Sequence, residues 1–338
     1  MASMEYRPFT SLLVVAGLGL LLICVLTLIG LPHPLAEALH RCTETPSLCQ
    51  HLVQLGHQVA GPAFLALLPW TLWRGVLSGW RQCQDTQEAL ARLRQCGTAA
   101  PSGHLAMICD ELGLRDTVTV VTTEVPLAFC HGLFLPRIWL STGTVALLSR
   151  AELSAVLRHE QAHRRGHHPL QLLVARSVAD ALAFLPVLRE LADALPGNQE
   201  LVADRAVIQA GERYALGRAL LAMTTAASAP GAPVLASGMV GVLEARINQI
   251  SGRAAEPAPL SRAAVQQTVL VLGAGLLLIR VSTLGMPGET LFSLPALPRP
   301  TVWLDWHCLP APLLLFGALP RLPAVLKLLG GYRIRLTA

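Results

Sequence analysis

Charged residues are scarce in this chain. Only 14% of its 338 residues are Asp, Glu, Lys or Arg, while 53% are hydrophobic, and the mean hydropathy is +0.51. A soluble globular protein carries roughly 25% charged residues, so the supply for a fully water-facing surface is missing. That argues against a soluble enzyme and against a disordered chain, and for several membrane spans. Lysine is all but absent: Lys327 stands alone, and arginine supplies the remaining positive charge. The net charge is only +5 and no long block of like charge occurs, so direct nucleic-acid binding has no electrostatic footprint. None of the eight cysteines shows C-x-x-C spacing, which argues against a zinc ribbon or a dithiol redox motif. No internal repeat is visible.

What the chain does have is apolar runs. Residues 12–31 form the first, long enough as a helix to cross a hydrocarbon core of about 30 Å. The run is long for a signal peptide and no clean cleavage site follows it, so a retained anchor is expected. Residues 59–80 form the second, with Trp70, Trp73, Trp80 and Arg74 toward its end, residue types suited to headgroup level. Residues 265–286 form the third. A fourth, 303–319, is interrupted by Pro310 and Pro312. Arg81, Arg92 and Arg94 follow the second run, and Lys327, Arg333 and Arg335 lie in the tail. By the positive-inside rule the termini and the central domain face the cytoplasm. Cys42 and Cys49 then fall in an outward connection and could pair there, whereas Cys83, Cys96, Cys109 and Cys130 should be free thiols.

The soluble chemistry lies between residues 81 and 255. Residues 84–95 and 104–112 read as helices, the latter stopped by Gly113. The β-branched run 117–122 reads as a strand, with further strands at 127–130 and 137–140. Residues 224–236 read as a loop and 251–259 as a linker. Residues 170–188 read as an apolar helix that either dips into the bilayer or packs within the domain, with Arg176 and Asp180 spaced to neutralise one another.

Ser149 and Glu152 make a capping box that starts a helix. On that helix lies His159-Glu160-Gln161-Ala162-His163, an HExxH motif. Residues at i and i+4 share a helix face, so the two imidazoles can bind one Zn²⁺. Glu160 is placed to take a proton from the attacking water and pass it to the leaving amine. A third ligand is available in Glu200, with Asp204 one turn on as the carboxylate that orients a histidine. Glu190 is a rival third ligand, but has no Asp at i+4. The bland alternative is a set of solvated polar residues on an exposed face. His167 and His168 are expected to face solvent or headgroups. Arg205, Arg213 and Tyr214 are candidates to steady the oxyanion.

The segments AFCHGLFLPRIWLSTG, ELSAVLRHEQAHRRGHHPL and ELVADRAV, together within about residues 85–255, resemble the BlaR/MecR-type integral-membrane metallopeptidases, which are related to the HtpX and CaaX prenyl proteases. The resemblance implies an α+β membrane protein with about four transmembrane helices. It also implies a cytoplasmic gluzincin-type zinc metallopeptidase domain built on a small sheet and the HExxH helix. His159, His163 and Glu200 would be the zinc ligands and Glu160 the catalytic base. The strand region from Phe129 through His131 and Gly132 would supply the edge on which an extended substrate lies. The separation of His163 from Glu200 is short for an HtpX-like enzyme and favours the BlaR/MecR branch. No S-x-x-K occurs, so a penicillin-binding sensor is not expected.

The expected layout is two transmembrane helices joined by a short outward connection in 1–80, a cytoplasmic metallopeptidase domain in 81–255, and membrane helices with a cytoplasmic tail in 256–338. The expected function is a membrane-anchored zinc endopeptidase of the inner membrane, cutting a protein such as a winged-helix transcriptional repressor in signal transduction. Two alternatives stand beside it: HtpX-like quality control of membrane proteins, and a catalytically silent membrane receptor or scaffold.

Overall fold

In a computed structural model of the chain, residues 7–30, 48–227, 240–253 and 260–284 are described. They form a helix-rich α+β protein with one small sheet. The chain divides into two compact units. One comprises Met1–Leu12, Gly75–Asp180 and Arg189–Ala258; the other comprises Leu13–Arg74, Ala181–Leu188 and Pro259–Ala338.

Helices α1 (Arg7–Gly30) and α2 (Leu48–Gln95) come first. The apolar run at 59–80 and the polar helix at 84–95 are thus parts of one continuous helix. Strand β1 (Thr98–Ala99), missing from the sequence reading, leads to α3 (Gly103–Glu111). Strands β2 (Val118–Val121), β3 (Ala128–His131) and β4 (Arg137–Ser141) follow within a residue or two of expectation. The sheet order is β1-β2-β4-β3, with β2 and β4 parallel and the outer pairs antiparallel. β3 is therefore an edge strand whose outer side is unpaired among the described residues. At Gly132 the backbone reaches φ +120° and a Cβ would meet the Leu135 carbonyl oxygen at 2.9 Å, so the β3–β4 turn requires glycine there.

After the short α4 (Thr142–Leu147) comes α5 (Arg150–Arg165). Its capping box is formed: the Ser149 hydroxyl accepts from the Glu152 N–H, and the Glu152 carboxylate accepts from the Ser149 N–H at 2.8 Å. One face of α5 buries Leu153, Val156 and Leu157 against Ile138 and Leu140 of β4 and Ile108 of α3. The other face of the sheet stacks Trp139 against Phe129, ring centroids 6.3 Å apart, with Leu90 of α2 packed on them and the Arg94 guanidinium 5.5 Å from the indole. Then come α6 (His168–Ala181), α7 (Pro186–Gln209), α8 (Arg213–Ala227) and α9 (Val240–Ile250). The expected single helix over 170–188 is instead broken before Pro186, a residue that excludes helical backbone immediately ahead of it. Asp180 accepts from Ser78 at 2.5 Å and pairs with Arg189 at 3.2 Å, rather than with Arg176. Thr224 to Ala227 continue α8 rather than opening a loop.

In the other unit, α1 and α10 (Arg262–Leu284) meet through small residues. A Cβ on Gly275 would lie 2.6 Å from Leu22, and one on Gly19 would lie 2.6 Å from Leu185. Along this part of α1 the buried positions Val15, Ala16, Leu22 and Ile23 follow the helical period, while Leu13, Val14, Leu18 and Leu21 on the opposite face are exposed. Among the described residues no helix is long and apolar enough to cross a membrane. The expected spans 12–31 and 265–286 run past the described residues, and 303–319 lies wholly outside them. So does Cys42, one of the two outward cysteines that could pair. Cys83, Cys96, Cys109 and Cys130 are free thiols.

Candidate metal centre

The α5 spacing brings the two histidine rings together, with His159 Nε2 and His163 Nε2 3.1 Å apart. α7 delivers Glu200 to the same point. Its Oε2 lies 3.2 Å from His159 Nε2 and its Oε1 3.3 Å from His163 Nε2. All three ligand atoms fall within 4.8 Å of one another. Donors bonded at about 2.0–2.1 Å to a tetrahedral ion stand roughly 3.3–3.4 Å apart, close to the separations found. Glu200, not Glu190, is the carboxylate that completes this cluster.

Asp204, one turn beyond Glu200 and fully buried, sets its Oδ1 2.9 Å from His159 Nδ1. That carboxylate favours a proton on Nδ1 and leaves the Nε2 lone pair free for a cation. Behind it lies Arg246 of α9, a residue that sequence reasoning did not single out. Its guanidinium donates to both Asp204 oxygens, at 2.7 and 2.8 Å, and its Nη1 lies 2.9 Å from Glu200 Oε2. The signal that could have found it is faint: a single arginine in the helical stretch VGVLEARINQI, with Glu244 and Asn248 close by in sequence.

The electrostatics fit a site built for positive charge. Burial works against a charge on His159, but Asp204 and Glu200 outweigh it and push the imidazole up to about 10. Burial also pushes the Glu200 carboxyl up, yet its contacts with His159 and His163 hold it well below the usual range. Asp204 is likewise held low by His159 and Arg246 against the effect of burial. Glu160 is buried beside the ligands, and burial raises its carboxyl despite the two nearby histidines. A raised carboxyl is the condition for a base that must work near neutrality.

His168 corrects the sequence reading. It is only 7% exposed, and its Nδ1 lies 2.8 Å from Nδ1 of His163. Burial, reinforced by His163, lowers it to about 3. His167 alone of the pair is exposed.

β3 runs beside α5. The Ser141 N–H donates to the Leu127 carbonyl at 2.9 Å, and the register pairs Phe129 with Trp139 and His131 with Arg137. Hydrogen-bonded pairs alternate along an antiparallel ladder, so Phe129 and His131 aim their backbone groups into β4. The outward-facing groups belong to Ala128 and Cys130. Phe129 packs on the sheet face away from α5. Thus, of the expected substrate-strand residues, Phe129 and His131 shape the strand and their neighbours offer its edge. The Cys130 thiol is pushed up to about 12, by burial first and by the nearby Glu160 second. Two of the oxyanion candidates are not drawn into the cluster: Tyr214 is 86% exposed and Arg213 lies beside Gly252, and among the described residues the cation that reaches Glu200 is Arg246.

Neither a curated protein nor a solved structure matches the chain. A family model does: the one described as BlaR1 peptidase M56 matches residues 79–250. That stretch is half of the chain and runs from the second half of α2 through α9, taking in every element that builds the centre. The chain therefore belongs to the BlaR1 peptidase family.

Proposed function

We propose that the chain is a membrane-anchored zinc metalloendopeptidase of the gluzincin type. It cuts a protein substrate at the cytoplasmic face of the inner membrane. The observation that carries this reading is the convergence of His159, His163 and Glu200 beside the buried Glu160. A zinc ion held by those three residues supplies Lewis-acid polarisation of the scissile carbonyl and of the attacking water. The rest falls to the chain. Glu160 takes the proton from the attacking water and returns it to the leaving amine. Asp204 holds His159 in the ligating tautomer, and Arg246 offsets the charge of the buried Asp204 and the half-buried Glu200. The outward backbone groups of Ala128 and Cys130 take up an extended peptide as an added strand, which demands little of its sequence.

The membrane part of the reading is supported by the apolar runs and by α1, which is apolar on both its buried and its exposed faces, the pattern of a helix surrounded by apolar matter. Trp70, Trp73 and Trp80 are exposed on α2, as headgroup-level tryptophans are. By family resemblance the substrate is a cytosolic winged-helix repressor, whose cleavage passes on a signal.

Proteomic comparison of cells carrying wild type and Glu160→Gln tests this. A single DNA-binding repressor that accumulates uncut in the variant is the expected result. Accumulation of many damaged membrane proteins would point instead to quality control. Stoichiometric zinc with no Glu160-dependent cleavage of any protein would leave a silent receptor.

A further inference from the structure

We infer that His168 is a positioning residue for His163, performing with an imidazole nitrogen the task that Asp204 performs for His159 with a carboxylate. The inference rests on the zinc reading of the centre. For His163 to offer a lone pair at Nε2, its proton must sit on Nδ1. That proton points at His168 Nδ1, 2.8 Å away, which accepts it and must itself be unprotonated at that atom. The rings meet edge to face, centroids 4.8 Å apart, so the contact fixes the His163 ring plane as well as its tautomer.

The connection between α5 and α6 is shaped for this contact. His167 takes the left-handed conformation at φ +49°, unusual for a residue other than glycine, and that reversal turns the next side chain back over α5. Gly166 leaves the space: a Cβ there would lie 2.4 Å from His168 Nε2 and 2.5 Å from Cδ2. The Gln171 amide donates to the Gly166 carbonyl at 2.8 Å and the Gln199 amide to the His168 carbonyl at 3.4 Å. Gln199 adjoins Glu200, so the segment is pinned to the helix that brings the third ligand.

The test is zinc affinity of the full-length chain in detergent, by chelator competition, with the cobalt(II) absorption spectrum as a second readout of ligand geometry. His168→Leu removes the acceptor, and should weaken zinc binding roughly 10–100-fold, the usual effect of removing a partner behind a ligand. His168→Asn restores an acceptor near the Nδ1 position, and should stay within about threefold of wild type and keep its cobalt spectrum. Gly166→Ala leaves His168 intact but displaces its ring; it should match His168→Leu, and the double variant should be no weaker than either alone. It also carries the test should His168→Leu fail to fold. Unchanged affinity in His168→Leu overturns the inference. So does a loss in His168→Asn as large as in His168→Leu, because the ring would then matter only as packing. Additive losses in the double variant overturn it too. A wild-type chain that takes up no zinc fails differently, by removing the metallopeptidase reading beneath it.

Discussion

Arg246 and the two carboxylates it touches form a closed set of charges with little access to water, and removing one member leaves the others exposed to each other. Arg246→Met should cost about 3–5 kcal/mol in chelated protein, the usual penalty for breaking a buried ion pair. The loss should shrink when zinc is added, since a divalent ion offsets the same carboxylates. Denaturant unfolding with and without chelator reads both, and equal losses in the two conditions would contradict the charge account. Glu160→Gln should keep its zinc and lose about 10²–10⁴ in turnover, measured on a peptide that the wild type cuts. These residues were unequally legible. His159, Glu160, His163, Glu200 and Asp204 declare themselves because each group repeats at one helical turn. Arg246 is joined to Asp204 only by tertiary folding, which no local spacing records. His168 was visible but misassigned, because its burial depends on the backbone reversal at His167 and on the missing side chain of Gly166.

At the scale of elements, α5 owes its start to the Ser149–Glu152 box, and Ser149→Ala should cost about 1 kcal/mol in the same unfolding assay. The pH dependence follows from Glu152, whose carboxyl is lowered from 4.5 by the backbone and hydroxyl of Ser149 first, against some burial. A carboxyl held low in the folded chain binds fewer protons there than in the unfolded chain. Its contribution is therefore complete above about pH 4.5 and fades as pH falls through the lower folded value. Glu152→Gln should be less stable than wild type at neutral pH, and the gap should narrow in acid. For β3, Cys130→Pro removes an outward N–H without touching the ladder to β4, and should lower peptide cleavage by about tenfold, the value of one hydrogen bond. Cys130→Ala should leave cleavage unchanged. Strand positions were readable from β-branched runs. Which backbone groups face outward was not, because that depends on register with β4.

For the whole molecule, metal and fold should be linked. Free zinc at 1,000 times its dissociation constant adds about 4.1 kcal/mol to the folded state, so a chelator should lower the melting temperature and zinc should restore it. A chain whose melting ignores both would argue against a resident ion. The composition argues for a lipid setting, and the proposed function takes that up. The division into two units did not follow the order of the chain, because α1, α2, α6 and α7 each contribute to both. The open side of β3 carries one more consequence. On the proposed reading a substrate adds to it as one more strand, and only a backbone with unengaged amides can do so. A stretch already coiled or laddered has no free partners to give, so a well-folded target is refused until some part of it melts or hangs loose. The speed of cutting would then report how often the target frays, and a stabilising ligand on the target would act as a brake on the enzyme without ever touching it.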